Sequence, residues 1–529
     1  MGIPSYFSYI VKNHSDIIKK INYLKKIDNF YLDSNSIIYD TLRLISNNYK
    51  GNDAKFEKIL IKETIKKINE YISLICPTKT VIIAFDGVAP VAKLEQQRTR
   101  RYKSYLMDKI TKSIKSQPEK TWDKTAITPG TKFMEKLGKE IKKYYKNSYN
   151  NVNNVNIIVS TSDDVGEGEH KIFEYIRENQ IFHSKTTTLI YGLDADLIML
   201  CLNHLNISKS IYLYRETPEF IKTINRDLEP NENYFMDIPI LAEAIREKLT
   251  MSKDSNNKNK NILHDYIFLC LLLGNDFLPH FPSLNIRTTG IHTIMATYKN
   301  TLGKRNINLC SKNKIYWSNL KILIEALSRN EHNNIKNEYK LRNKFEKRFY
   351  SSETFEDKLK KIENIPTKKR ETEKYIDPFN YYWEMRYYEK LFDLDINNAY
   401  KQKICINYLE GLEWVFKYYT TGCVDWRWKY DFHYPPLLND LKNYIPSWDT
   451  SMIESNSNLP VTEIIQLSYV LPKKSLKLLP KKIQDKLIKT MSDKYPENCQ
   501  LEWSFCKYLW EAHPKLPSIN INKLEELIT

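Results

Sequence analysis

The sequence predicts an α/β fold: a mainly parallel central sheet flanked by helices, with a mostly helical second region. Two observations predict the sheet. The segments NFYLD (29–33), TVIIAFD (80–86), VNIIVS (155–160), TTLIYGLD (187–194) and SIYLYR (210–215) are short, β-branched or aromatic, and almost continuously apolar. Such runs suit strands buried on both faces of a parallel sheet. Between them lie longer stretches such as KFEKILIKETIKKINEYISLI (55–75), whose apolar residues recur at helical spacing. Short strands alternating with longer helices indicate βαβ units. The second region starts near residue 376, where aromatic residues return in YIDPFNYYWEMRYYEKLF and GLEWVFKYYTTGCVDWRWKYDFHYPP. Residues 251–262 (MSKDSNNKNKNI) are polar and suit a surface loop, and 301–375 are rich in Lys, Glu and Asn. The expected division is 1–300, a charged connecting segment over 301–375, and 376–529.

Composition narrows the class. The chain has 529 residues, a hydrophobic fraction of 42% and a net charge of +17. It can bury a large core, and the positive excess suits a polyanion such as nucleic acid. A Lys-rich surface reflecting AT-rich coding would produce the same bulk charge. The eight cysteines form no C-x-x-C and lie in apolar or mixed segments, and no H-E-x-x-H occurs. This argues against a disulfide framework and a zinc site. No apolar run nears the roughly 20 residues that span a bilayer. MGIPSY departs from a myristoylation signal at Tyr6. An intracellular protein is expected, in the cytoplasm, with nucleus or virion as alternatives.

Three predicted strands end on aspartate: Asp33, Asp86 and Asp194. In open parallel sheets, ligands bind beyond the carboxyl ends of the strands. Asp196 follows in LDADLIML, Glu167 and Glu169 precede an apolar-periodic helix, and Asp276 follows an apolar run. Singly, such residues serve as caps or turn formers. As a group they would repel one another unless protonated or bridged by cations. Hard oxygen donors suit Mg²⁺ or Mn²⁺, and two such ions can assist phosphodiester hydrolysis.

Directly after Asp86, Pro90 is placed to open a helix. Lys93, Gln97, Arg100 and Arg101 share one face of it, within an arc of about 100°. Arginine forks and a neutral amide donor match phosphate oxygens. The alternative is a solvated basic face.

MGIPSYFSYI, FYLDSNSIIYD, FDGVAPVAKLEQQRTRR, ITPGTKFMEKL, GEGEHKIFEYIR, YGLDADLIML and LLLGNDFLPHFPSL, in this order over residues 1 to about 285, resemble the 5′→3′ exoribonuclease (XRN) family of eukaryotes and some of their viruses. A weaker match continues in WVFKYYTTGCVDWRWKYDFHYPPLLNDL. The resemblance implies a PIN/flap-nuclease-like core. It also implies that Asp33, Asp86, Glu167, Glu169, Asp194, Asp196 and Asp276 form a metal site for two Mg²⁺ or Mn²⁺ ions. Lys93, Gln97, Arg100 and Arg101 would form the 5′-monophosphate pocket. In the family a histidine after the first aspartate and an aromatic of the second region stack on terminal nucleotides. Here Tyr39 stands at the histidine position, which keeps a ring but loses an imidazole; Trp428 or Trp426 is the matching aromatic. Larger family members carry long C-terminal extensions, so the chain resembles a minimal catalytic core.

The implied activity is processive degradation of single-stranded RNA with a 5′-monophosphate to nucleoside 5′-monophosphates. A flap-type DNA nuclease would use a similar carboxylate site, but LNIRTTG (284–290) only faintly echoes its duplex clamp. A non-catalytic RNA-binding scaffold would be expected to lack some of the acids.

Overall fold

A computed structural model describes residues 3, 5–24, 26–114, 121–148, 155–250, 261–393, 398–454 and 458–529. Most of the polar segment 251–262 lies outside the described residues. Seven strands form one sheet in the order β1-β7-β6-β5-β2-β3-β4. These are β1 (Ile18–Lys20), β2 (Asn29–Asp33), β3 (Thr80–Ala84), β4 (Asn156–Ser160), β5 (Thr187–Tyr191), β6 (Ser210–Glu216) and β7 (Asn233–Asp237). The five strands expected from sequence, β2 to β6, pair in parallel. The two unforeseen strands, β1 and β7, extend one side antiparallel. β1 is three residues of mixed polarity, IKK, so alternation had nothing to register.

Two of the predicted strands end early. β3 stops at Ala84 and β5 at Tyr191, so Asp86 and Asp194 lie in the loops just beyond the sheet. Asp33 is the last residue of β2 and pairs in register with Ala84. All the residues of β2 and β3 are buried. Their side chains alternate between two cores. Phe30, Leu32, Val81 and Ile83 face one, with Phe56, Leu60 and Ile68 of the helix Asp53–Ile75. Tyr31, Ile82 and Ala84 face the other, with Ile172 and Phe173 of the helix Gly168–Glu178. Burial on both faces is what continuous hydrophobicity encodes.

The second core is shared with the helical region. The helix Ile262–Leu271 is buried along its whole length, and Tyr408, Leu412, Trp414 and Phe416 of the helix Asn398–Thr420 join it. Residues 301–375, read from the sequence as a charged connecting segment, contain packed helices. Trp317, Leu320, Leu323 and Ile324 enter the same core. Many polar neighbours face outward, and others, such as Arg342, Arg370 and Glu373, are buried in pairs, so the segment looks hydrophilic along the chain although it is packed. The C-terminal stretch folds back over the cationic helix Val91–Ile114. Val91 and Leu94 pack there with Ile465, Leu467 and Tyr469. Arg98, almost fully buried, donates to the carbonyls of Pro517 and Lys494, both at 2.9 Å. Among the described residues, no helix is long and apolar enough to cross a membrane.

Candidate active site

The carboxyl ends of β2, β3 and β5 deliver Asp33, Asp86 and Asp194 to one place, and the helix Gly168–Glu178 brings Glu167 and Glu169. Ligand oxygens of Asp33, Asp86 and Glu169 lie within 4.8 Å of one another, as do ligand atoms of Glu167, Glu169 and His170. Burial, then repulsion from Asp86, Asp194 and Glu167, pushes the Asp33 carboxyl well above its usual range. Burial and the nearby Glu167 and Asp33 do the same to Glu169. Asp196, at the start of the helix Asp196–Asn203, is pushed up to about 6, by burial first and then by Asp276. Asp276 also opposes ionisation of Asp194, so mutual electrostatic influence connects the seven predicted acids.

Local backbone makes this crowding possible. Gly168 N–H donates to Asp86 Oδ1 at 2.8 Å. A Cβ on Gly168 would meet Asp33 Oδ1 at 2.8 Å and the Ala84 carbonyl oxygen at 3.2 Å, so a side chain would wedge the two carboxylates apart. Asn35 holds Asp86 from the other side: its Nδ2 donates to Asp86 Oδ2, and its Oδ1 accepts the Asp86 N–H at 3.2 Å. Lys171 Nζ donates to the carbonyls of Phe85 and Thr161 at 2.7 and 2.8 Å, fixing the strand end.

The cationic helix meets the acids directly. Lys93 Nζ lies 2.6 Å from Glu167 Oε1 and 2.9 Å from Asp276 Oδ2. Gln97 is buried with Oε1 unpartnered, and Arg101 is half-buried with Nε unpartnered. Burial lowers the Arg101 guanidinium to about 10, against the opposing influence of Tyr39. Arg100 is exposed. The predicted face thus runs from the carboxylates at Lys93 outward to solvent at Arg100. Tyr39, 39% exposed, stands beside Arg101. The two candidate tryptophans differ. Trp428 is buried and stacks on Trp414 at 5.2 Å, whereas Trp426 is half-buried. The Trp426 carbonyl accepts the Val91 N–H at 3.0 Å, anchoring the start of the cationic helix.

Three participants went unnoticed in the sequence. Asn35 sits two residues after Asp33, a spacing that could have marked it. His170 lay within the GEGEH motif. Tyr418 lay within WVFKYYTTGC, where nothing tied it to Glu167, 251 residues away, yet its hydroxyl donates to Glu167 Oε2 at 2.6 Å.

The residues fit divalent cations. Asp33 Oδ1 and Asp196 Oδ1 are buried without a hydrogen-bond partner, and the donor set is almost entirely carboxylate oxygen. Unpaired buried acids are strongly disfavoured unless a positive charge joins them.

Comparison with known proteins gives the family. The family pattern described as "XRN 5'-3' exonuclease N-terminus" matches residues 1–217. The pattern described as "Xrn1 helical domain" matches 256–377 and 379–529, more than half of the chain. The protein is 25% identical to 5'-3' exoribonuclease 2 of Arabidopsis thaliana, over 99% of this chain and 67% of that one. It is 27% identical to 5'-3' exoribonuclease 1 of Schizosaccharomyces pombe, over 99% and 48%. With 5'-3' exoribonuclease 1 of Homo sapiens the identity is 28%, over 99% and 34%. The solved catalytic core of Rad2 in complex with DNA substrate overlays loosely, with a TM-score of 0.34 at 14% identity, covering 84% of this chain and 96% of that one. The chain belongs to the XRN 5′→3′ exonuclease family.

Proposed function

We propose that this protein is a processive 5′→3′ exoribonuclease. It takes single-stranded RNA bearing a 5′-monophosphate and depends on two Mg²⁺ or Mn²⁺ ions. The observation that carries the reading is the contact between the two halves of the site. Asp33, Asp86, Glu167 and Glu169 gather at the sheet's carboxyl edge, and Lys93, paired with Glu167 and Asp276, joins them to a face of phosphate-type donors. The names of the relatives support the same activity.

Bound divalent cations supply Lewis-acid stabilisation of phosphoryl charge and a nucleophile at neutral pH. The chain's own residues hold and orient the substrate. Gln97, Arg100 and Arg101 grip the terminal phosphate through charge-assisted hydrogen bonds. Tyr39 and Trp426 offer ring faces to the first bases. Glu167, clamped by Lys93 and Tyr418, keeps its carboxylate in place. Water attacks the phosphorus between the first and second nucleotides, and the bond to the first nucleotide's 3′-oxygen breaks. The first nucleotide leaves as a 5′-monophosphate with a free 3′-hydroxyl. The shortened RNA carries a new 5′-monophosphate, so each turnover regenerates the recognised end.

The test compares one RNA sequence with a 5′-hydroxyl, monophosphate or triphosphate end, alongside single-stranded and flap DNA. Rapid decay of the monophosphorylated RNA alone is expected. Equal decay of all three RNA ends would defeat the phosphate pocket, and preferred cleavage of flap DNA would replace the reading. Asp194→Asn should stop cleavage while RNA binding, read by gel shift, persists.

A further inference from the structure

His170 follows Glu169 on the helix Gly168–Glu178 and lies outside the seven acids. An imidazole nitrogen of His170 and carboxylate oxygens of Glu167 and Glu169 all lie within 4.8 Å of one another. Its Nδ1 is buried and has no hydrogen-bond partner. The ring is firmly held. It lies against Tyr418, tilted by 31° with centroids 3.7 Å apart, and Tyr419 meets it edge-on at 6.3 Å. Tyr418 in turn stacks on Trp414 at 4.8 Å. One tyrosine therefore fixes both the imidazole, through its ring, and Glu167, through its hydroxyl. Each Glu167 oxygen keeps a further lone pair beyond its bond to Lys93 or Tyr418.

A second group, Asp33, Asp86 and Glu169, adjoins the first and shares Glu169 with it. Asp33, 7% exposed, leaves Oδ1 unpartnered there. The two groups differ chemically. Oxygen-only donors suit Mg²⁺, whereas an imidazole nitrogen favours transition-metal dications.

We propose that His170 is a nitrogen ligand to one of two unequal cation positions. The Glu167–Glu169–His170 position prefers Mn²⁺ over Mg²⁺, and the Asp33–Asp86–Glu169 position accepts either. This rests on the metal-dependent reading above and goes beyond it by assigning a ligand and a selectivity.

The experiment titrates the purified full chain with Mn²⁺ and separately with Mg²⁺ by calorimetry. Pulsed electron paramagnetic resonance then tests bound Mn²⁺ for coupling to a coordinated ¹⁴N. The wild type should show that coupling. His170→Gln should lose it and weaken Mn²⁺ binding by at least about tenfold with little change for Mg²⁺. His170→Asp should restore binding without nitrogen coupling and narrow the preference for Mn²⁺. If neither variant folds by circular dichroism, the wild-type spectrum decides alone. Saturable Mn²⁺ binding without nitrogen coupling overturns the assignment of His170 and leaves the metal-dependent reading standing. Absence of any saturable Mn²⁺ binding overturns both.

Discussion

Two regions of this molecule bury carboxylates and treat them differently. In the helical region Glu373, 1% exposed, is enclosed by cations. Arg342 reaches it at 2.5 and 2.8 Å, Arg370 at 2.6 Å, and the Phe505 N–H donates at 2.9 Å. Asp265 is likewise satisfied, by the Tyr298 hydroxyl, the Asn308 amide and the N–H groups of Leu309 and Cys310. At the sheet edge, Asp33 and Asp196 each leave a buried oxygen without a partner, and their neighbours are further acids. A folded chain normally pairs every buried charge. Acids crowded together, with two buried oxygens left unpartnered, are the kind of place where a fold gives up stability for a ligand.

Neutralising one member of each set should therefore have opposite consequences. Asp33→Asn is expected to give the largest effect on activity, roughly a thousandfold loss or more, since under the proposed mechanism several kcal/mol of transition-state stabilisation would depend on the cations it would hold. The same substitution should raise the melting temperature in chelator, because it removes repulsion with Asp86, Asp194 and Glu167. A lower melting temperature in chelator would break the contrast. Glu373→Ala should do the reverse. It strands Arg342 and Arg370 in the interior and should cost about 3–5 kcal/mol in urea denaturation, independent of divalent cations.

Tyr418→Phe keeps the ring stack and deletes only the hydroxyl bond to Glu167. A hydrogen bond to a charged group contributes about 1.5–3 kcal/mol, so calorimetry should show divalent affinity reduced by about tenfold or more. Unchanged affinity would show that Lys93 alone positions Glu167. The last effect concerns pH. The Asp196 carboxyl sits near 6 in the fold and near 3.9 when unfolded, so the folded state favours its protonated form. In chelator, that stabilisation is complete below about pH 4 and is lost as pH rises through about 6, by at most about 3 kcal/mol. Thermal melts across this range, compared with Asp196→Asn, would measure it; a variant with the same slope as wild type would assign the effect elsewhere.

Much of this was legible in one dimension because it is encoded locally. Continuous apolar runs identified the five parallel strands, and the acids at their ends were visible as interruptions of those runs. Helical spacing placed Lys93, Gln97 and Arg101 on one face. The ends of β3 and β5 were less legible, because Phe85 and Leu193 continue the apolar pattern after the ladder has stopped. The short antiparallel strands β1 and β7 depend on a sheet edge that exists only after the parallel core has formed.

By itself, then, the amino-acid order determined which acids and cations are on offer and which segments present them, since periodicity and residue type are properties of neighbours. Only the tertiary structure decided who meets whom. Tyr418 reaches Glu167 across 251 residues, Gln466 accepts the Ala89 N–H across 377, and Trp428 turns into the core while Trp426 stays partly open. Those outcomes follow from helices packing around one shared core, where position is set by the whole surface and not by any stretch of chain.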